Sequence, residues 1–307
     1  MKIFEESRKI RKEFEDWIQD YRKPLWDYCL KLTKNVWDAE DLFQDTLLKS
    51  FSQLNYLYQA VSPKSYLFRM ATNHWLNTIQ KRKRTISVDE EVLETIPATD
   101  MPDPLELQAG FKRMSERLTH QQQAAFLLTK GFGFTNREAA EYLSLTEGAV
   151  KSLLKRAKDN LGKSTEADLH TNVAISPLMN AYLEAFNQKN PDAIAALLSE
   201  HATMDIVGVS HEYGKETIRK SSLNDWSQDP VAAIGEWAVI DGESVVLAWT
   251  PENQLYTIIR VVESDDQITT IHEYYFSQEL SEHIASLYNR ESCENGTFWD
   301  EKWKSNV

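Results

Sequence analysis

Four titratable residues in the second half of the chain could do acid–base chemistry: Asp205, His211, His272 and Glu273. An aspartate beside a histidine can abstract a proton from a bound substrate. Because side chains alternate between the two faces of a strand, adjacent His272 and Glu273 are expected to point to opposite faces. The sequence has no HExxH motif, and no cysteine accompanies these histidines as a metal-binding set. We therefore expect no catalysis here, no cofactor and no metal.

The most specific local pattern is the segment 135–160, which predicts two short helices joined by a tight turn. Thr135, with Glu138 three residues later, is typical of a capping box, and Thr146 starts the second helix. That helix has an apolar side and a basic side, which favours a helix-turn-helix that enters the DNA major groove over an ordinary helical hairpin. The residues of this helix that we expect to contact bases are Thr146, Glu147, Lys151 and Ser152. The residues that we expect to contact phosphates are Lys155 and Arg156.

A second basic helix is predicted over 62–84, with Ser62 as its N-cap and Pro63 at the first helical position. Aromatic side chains alternate here with amides and cations. This combination suits unpaired DNA bases, because every base offers a π-face and a phosphate. The alternative is a core stripe of aromatics beside a solvated run of charge. The residues assigned to DNA contact are Arg69, Asn73, Trp75, Asn77, Lys81, Arg82, Lys83 and Arg84.

The type of secondary structure predicted to position these residues differs between parts of the chain. Helical periodicity dominates the first 84 residues and returns after an acidic, proline-containing stretch. From residue 176, two helices precede a run of β-branched and aromatic segments in which Asp241-Gly242 signals a hairpin. Helices followed by antiparallel strands predict an α+β domain. The expected organisation is a helical domain (1–84), a linker (85–110), a helix-turn-helix domain (111–163), an α+β domain (173–285) and a tail (286–307).

Charge is distributed unevenly over these parts, although the 307 residues sum to a net −13. Residues 1–84 and 111–163 each carry a net +5, whereas 85–110 carry −7 and 164–307 carry −16. Blocks of opposite sign suggest that the two basic modules meet a polyanion and that the acidic module does not. The acidic module could instead compete with DNA for the basic surfaces through an intramolecular contact.

Composition limits the class of protein further. With 42% hydrophobic and 26% charged residues, the chain is not predominantly disordered. Two cysteines far apart in the sequence suggest a reduced, cytoplasmic protein rather than a disulfide framework. We find neither a signal peptide nor the ~20 consecutive apolar residues of a membrane span, so no membrane partner is expected.

The segment 38–46, Asp-Ala-Glu-Asp-Leu-Phe-Gln-Asp-Thr, resembles the DAEDLxQ[ED]xF pattern of bacterial extracytoplasmic-function (ECF) sigma factors. Leu47 or Leu48 stands where the family usually has a nearby Phe. The resemblance implies that 62–84 melt the promoter and read its minus-ten element, and that 118–161 read the minus-thirty-five element. It also implies binding to core RNA polymerase, at the β′ clamp helices and the β flap. The residues that the resemblance assigns to polymerase binding are Asp38, Glu40, Asp41, Gln44 and Asp45.

Three segments, Met179–Phe186, Asn190-Pro191-Asp192 and Met204-Asp205-Ile206, precede the run of β segments. With them, residues 173–285 resemble SnoaL-like members of the cystatin/NTF2-like α+β fold, which implies a conical pocket and a regulatory extension. The fold class expected is therefore multidomain, with two all-α sigma regions followed by a cystatin/NTF2-like domain. The pocket could hold a small-molecule ligand. Two alternatives remain open at this point. One is a helix-turn-helix regulator that senses a small molecule, and the other is a SnoaL-type isomerase or cyclase fused to a DNA-binding arm.

Overall fold

The computed structural model describes residues 2–52, 63–85, 118–161 and 175–294. The chain divides into two compact units, Met1–Asp168 and Leu169–Val307. Among the described residues, no helix combines the length and the apolar character needed to cross a bilayer. Cys29 and Cys293 are both free thiols, one buried and one half-buried.

The first unit is helical throughout its described part. Its elements are α1 (Lys2–Thr33), α2 (Val36–Ser52), α3 (Pro63–Thr85), α4 (His120–Phe126), a π-helical turn (Leu127–Gly131), α5 (Asn136–Leu143) and α6 (Glu147–Leu161). The prediction that Pro63 opens a helix is confirmed. Its proposed N-cap, Ser62, lies outside the described residues, as does the linker from 86 to 110.

Helices α1, α2 and α3 share an apolar core. Its largest side chains include Trp26, Tyr28, Phe43 and Phe68, all fully buried. Tyr28 also bonds through its hydroxyl to Thr72 Oγ1 at 2.7 Å, which joins α1 to α3. A buried hydroxyl needs such a partner, because leaving it unpaired costs the free energy of desolvation. The core therefore fixes which faces of α2 and α3 point outward.

The helix-turn-helix geometry follows from its caps. Thr135 accepts from the Glu138 backbone while Glu138 accepts from the Thr135 N–H, so the predicted capping box is confirmed. Ser144 ends α5 in the left-handed conformation, with φ 53°. Thr146 Oγ1 accepts from Ala149 N at 3.2 Å and caps α6. The side chains that close the angle between α5 and α6 are buried as predicted, among them Ala139, Leu143, Val150 and Ala157.

The second unit opens with α7 (Pro177–Asn187) and α8 (Pro191–Leu197), which are followed by a six-stranded sheet. The strands are β1 (Leu198–Ile206), β2 (Ser210–Tyr213), β3 (Ile234–Ile240), β4 (Glu243–Trp249), β5 (Leu255–Ser264) and β6 (Gln267–Glu273). The spatial order is β2-β1-β6-β5-β4-β3, with β1 and β6 parallel and all other pairs antiparallel. The remaining helices are α9 (Lys215–Lys220), α10 (Ser222–Gln228) and α11 (Gln278–Leu287).

The hairpin prediction at Asp241-Gly242 is confirmed, since both residues have positive φ and join β3 to β4. Positive φ at both central positions is the geometry that Asp-Gly favours. The sequence analysis did not predict strand β2 or helices α9 and α10. Neither helix has a side-chain hydrogen bond at its N-cap.

Gly235 lets α7 lie directly on β3. Asn187 donates to the Gly235 carbonyl at 3.1 Å and accepts from its N–H at 2.7 Å. A Cβ at this glycine would come within 2.7 Å of Val246 Cγ1 and 3.0 Å of Leu183 Cδ1. The close approach of α7 and β3 therefore requires that residue 235 have no side chain.

We expect Gly235→Ala to destabilise the second unit by about 1–3 kcal/mol, because overpacking forces neighbouring side chains to move. Urea unfolding of the full chain followed by tryptophan fluorescence would measure the change. Gly148→Ala, a substitution in the first unit with open space around the new methyl group and no positive φ, is the control for the second-unit transition. An unchanged second-unit midpoint in Gly235→Ala would contradict the packing argument.

Candidate functional site

Three aspartates, Asp38, Asp41 and Asp45, lie on the outer side of α2. Asp41 and Asp45 are exposed and Asp38 is half-buried. Leu48 follows one turn later and is 68% exposed, which is unusual for a leucine in a helix that packs on a core. The spacing 38, 41, 45, 48 puts all four on one helix face. We call these four residues the α2 strip.

Glu40, also assigned to polymerase binding, occupies a different face of α2, and Gln44, assigned likewise, is half-buried at the edge of the strip. Glu40 is completely buried and accepts from Trp26 Nε1 at 2.8 Å and from Gln44 Nε2 at 2.7 Å. Two residues along from Asp38, Glu40 is turned about 200° around the helix and faces α1. Its observed contacts are those of a carboxylate that joins α2 to α1.

Asp45 connects α2 with α3. Its Oδ2 lies 2.8 Å from His74 Nε2 and 3.9 Å from Lys49 Nζ, and Lys49 also contacts His74 Nδ1. The pair with His74 is an ion pair only when the imidazole is protonated. The α2 strip is therefore held against the helix that carries the second set of predicted DNA contacts.

On α3 the predicted DNA-contacting residues fall into three groups. Arg69 and Asn77 are exposed, and Asn73 is half-buried. Trp75 is only 5% exposed and packs edge-on against the ring of His120, with 5.1 Å between centroids. In this arrangement its indole does not face solvent, where an unpaired base could stack on it. The side chains of Lys81, Arg82, Lys83 and Arg84 lie outside the described residues.

The outer face of α6 presents the predicted contacts of the helix-turn-helix. Thr146, Glu147, Lys151, Lys155 and Arg156 are exposed, and Ser152 is half-buried. Lys151 Nζ lies 2.7 Å from Glu147 Oε1, and this ammonium lowers the pKa of the Glu147 carboxyl. Arg156 donates to Ser152 Oγ at 2.9 Å. The charged side chains thus form a continuous polar surface along one side of the helix.

Aromatic residues join the helix-turn-helix part to α1 and α3. The Phe132 ring meets Tyr28 at 5.3 Å and Phe68 at 5.4 Å, both edge-on. Lys31 Nζ lies 4.7 Å from the centroid of the same ring. Tyr142 donates from its hydroxyl to Ser65 Oγ at 2.6 Å, and Phe134 meets Phe68 at 5.4 Å. These contacts, together with Trp75 on His120, form what we call the inter-region contact.

In the second unit, the four titratable residues are divided between the two faces of the sheet. Asp205 lies 3.4 Å from His211 Nδ1 and 3.6 Å from His272 Nδ1. Hydrogen bonding from His272, and then from His211, holds the pKa of the Asp205 carboxyl below its usual value. Glu273 instead lines a pocket on the other face, as alternation along β6 predicts. The aspartate–histidine group and the pocket are therefore separate.

That pocket is a cavity of about 190 Å³ between the sheet and helices α7, α8 and α10. Glu273 accepts from Thr257 Oγ1 at its floor, and burial raises the pKa of its carboxyl to about 8. Within the parts of the chain that the structure describes, no group of His, Cys, Asp and Glu is placed to hold a metal ion.

The raised pKa of Glu273 predicts a pH-dependent stability. The unfolded carboxyl ionises near its ordinary value of 4.5, whereas the folded one stays protonated until about pH 8. Its protonated form thus contributes stability that is complete below pH 4.5 and is lost as the pH rises to 8. Calorimetry of the full chain should show a second-unit transition that falls by several degrees over this range. Glu273→Gln should flatten that fall, whereas Glu200→Gln, at an exposed position, should not.

The comparisons with known proteins match the two parts of the first unit separately. Residues 17–85 match the family model of sigma-70 region 2, and residues 110–161 match that of sigma-70 region 4. The ECF RNA polymerase sigma factor SigG of Mycobacterium tuberculosis is 28% identical over 235 residues, or 66% of this chain and 63% of that protein. The chain thus spans less than two thirds of the length of this relative.

Two solved structures are similar to this chain, one over most of its length and the other over about a third of it. The ECF sigma factor SigJ of Mycobacterium tuberculosis is 19% identical and covers 85% of this chain and 95% of its own, with a TM-score of 0.32. An NTF2-like protein from Cytophaga hutchinsonii is 13% identical and covers 33% of this chain and 98% of its own, with a TM-score of 0.26.

The first unit therefore contains segments that match sigma-70 regions 2 and 4, and the chain is similar in sequence to extracytoplasmic-function sigma factors. The predicted fold class, two all-α sigma regions followed by an α+β domain, is confirmed.

Proposed function

We propose that this chain acts as an RNA polymerase sigma factor, which binds the core enzyme and directs it to promoters with minus-ten and minus-thirty-five elements. The observation that carries the proposal is the pairing of an exposed acidic strip on α2 with a separate basic face on α6, in regions that match sigma-70 regions 2 and 4. Carboxylates on the α2 strip are complementary to a basic protein surface, and the cations on α6 are complementary to DNA phosphates.

In this proposal the α2 strip docks on the β′ clamp helices of polymerase. Asp38, Asp41 and Asp45 supply the charge, and Leu48 supplies an apolar contact that the sequence analysis did not assign. Glu40 and Gln44 act indirectly, because Glu40 accepts from Trp26 Nε1 of α1 and Gln44 donates to Glu40, which keeps α2 in place. The chain carries out no chemistry itself, and the polymerase that it serves is in the cytoplasm.

Promoter recognition requires the two regions to separate. The minus-ten and minus-thirty-five promoter elements are separated by about 25 base pairs, which is about 85 Å on B-DNA at 3.4 Å per base pair. In the structure the two regions touch through the inter-region contact. The 32 residues from 86 to 117 could reach at most about 110 Å if fully extended, so the chain length permits the opening.

The decisive experiment mixes the purified full-length chain with core polymerase that lacks a sigma factor, without DNA. Co-elution is expected, and run-off transcription from a cognate promoter should follow. A helix-turn-helix regulator would bind DNA but would not co-elute, which separates the first alternative. The same run-off assay with a chain ending at residue 170 tests whether the second unit regulates activity, and unchanged transcription would remove that part of the proposal.

Mutations on α6 should separate phosphate from base contacts. Lys155→Ala is expected to weaken binding to all DNA sequences alike and to reduce the salt dependence of binding by about one counterion. Lys151→Ala or Ser152→Ala should change the preference at particular base pairs, by about 1–3 kcal/mol for each lost contact. Binding measured against a promoter library at two salt concentrations distinguishes the two. Identical, sequence-independent losses in all three variants would show that α6 is oriented differently on DNA.

A further inference from the structure

The pocket of the second unit has an unusual combination of walls. Its side walls carry six aromatic rings, those of Tyr182, Phe186, Trp226, Tyr256, Tyr275 and Phe276. Three carboxyl groups, Glu212, Asp225 and Glu273, line the same space. Among the described residues, no lysine, arginine or histidine lines it. An apolar cavity with carboxyl groups and no cationic side chain favours a cation or a neutral hydrogen-bond donor over an anion.

One carboxylate oxygen in the pocket lacks a partner. Glu212 Oε1 accepts from Ser222 Oγ at 2.7 Å, which fixes the orientation of the carboxylate. Glu212 Oε2 is buried and accepts no hydrogen bond from any residue that the structure describes. Buried polar atoms are nearly always paired, because an unpaired one loses its interaction with water and gains nothing in return. A ligand with a donor group would supply the missing bond.

The aromatic rings suit a positively charged donor. The faces of tryptophan, tyrosine and phenylalanine attract an ammonium group, and the attraction increases when water is excluded. Phe186 and Trp226, which form part of the aromatic wall, stack with 5.1 Å between their centroids. The volume limits the ligand, since a cavity of about 150 Å³ accepts benzene. The 190 Å³ available here thus fits a single ring with a short substituent.

We propose that this pocket binds a small aromatic amine in its protonated form, with the ammonium group on Glu212 Oε2 and the ring among the aromatic side chains. The site belongs to the second unit alone, so the proposal does not depend on the sigma-factor function. It goes beyond that function by giving the second unit a ligand of defined chemistry.

The test compares three probes of nearly equal size on the full chain: benzylamine, benzyl alcohol and benzoate. Isothermal titration calorimetry should show saturable binding of benzylamine at one site. Benzyl alcohol, which donates without a charge, should bind at least about tenfold more weakly, and benzoate should not bind. Equal binding of the three probes, preference for benzoate, or no binding of benzylamine would each overturn the proposal.

Glu212→Gln is the matched variant, because glutamine retains the shape and an acceptor for Ser222 but loses the charge. It should weaken benzylamine binding at least about tenfold and leave benzyl alcohol binding within about twofold. Glu200→Gln, an exposed glutamate of the same unit outside the pocket, is the control and should bind benzylamine like the unmodified chain. An unchanged affinity of Glu212→Gln for benzylamine would show that Glu212 does not hold the amine. A melting curve for each variant checks that the second unit is folded.

Discussion

Reversing one charge on the α2 strip, with Asp41→Arg, is expected to abolish co-elution with core polymerase and run-off transcription. Asp41 is exposed on the strip, so arginine there places a cation against a basic partner surface without disturbing the core. Removing and reversing a close interfacial charge costs about 2–5 kcal/mol, which corresponds to at least about 30-fold weaker binding. Size-exclusion chromatography with core polymerase, followed by transcription, measures both effects.

Asp20→Arg provides the control for this prediction, because Asp20 is an exposed acid on the neighbouring helix α1, outside the strip. It changes the net charge equally and should leave co-elution intact. Glu40→Ala should behave differently from both variants. It removes the buried acceptor of Trp26 Nε1, so it should lower the melting temperature. Normal co-elution of a folded Asp41→Arg chain would rule out the α2 strip as the docking surface.

The second large effect is expected at the inter-region contact. Phe132→Ala removes two edge-on ring contacts, with Tyr28 and Phe68, and the contact with Lys31. Together these are worth about 2 kcal/mol, so the ratio of separated to closed molecules should rise about 30-fold. Because only the separated form can reach both promoter elements, the apparent affinity of the free chain for promoter DNA should rise in proportion while that form remains the minority.

Fluorescence energy transfer between dyes at positions 20 and 158, both exposed, would report the separation directly. The labelled chain would carry Cys293→Ser, since Cys29 is buried and does not compete for the dye. Tyr142→Phe is a graded comparison, because it removes only the hydroxyl bond to Ser65 and should shift the equilibrium less. Unchanged energy transfer in a folded Phe132→Ala chain would mean that the aromatic contact does not hold the regions together.

Local signals predicted the elements well where the residues themselves form the cap or turn. Thr135 with Glu138, Thr146, and Asp241-Gly242 each make the bonds or adopt the angles that their types favour. Helices α9 and α10 lack such capping bonds, and the sequence analysis assigned no helix or strand to the segment that forms them.

The site residues were harder to predict, because their exposure depends on distant partners. Trp75 is covered by His120, and Glu40 is covered by Trp26 from another helix. No spacing along α2 or α3 indicates these partners. The exposure of Leu48 rather than Leu47 likewise depends on which side of α2 meets α1. Periodicity gives the helix, and the tertiary packing decides which of its polar residues remain available to a partner.

The parallel pairing of β1 with β6 has a consequence for the order in which the newly made protein folds. Strand β1 lies between β2 and β6, so the sheet cannot be completed until β6 has been synthesised. Strand β6 ends at Glu273, about 100 residues after the first unit ends, which a ribosome adds in about 5 to 20 seconds. During each round of translation, the sigma regions therefore leave the ribosome well before the domain that follows them can fold.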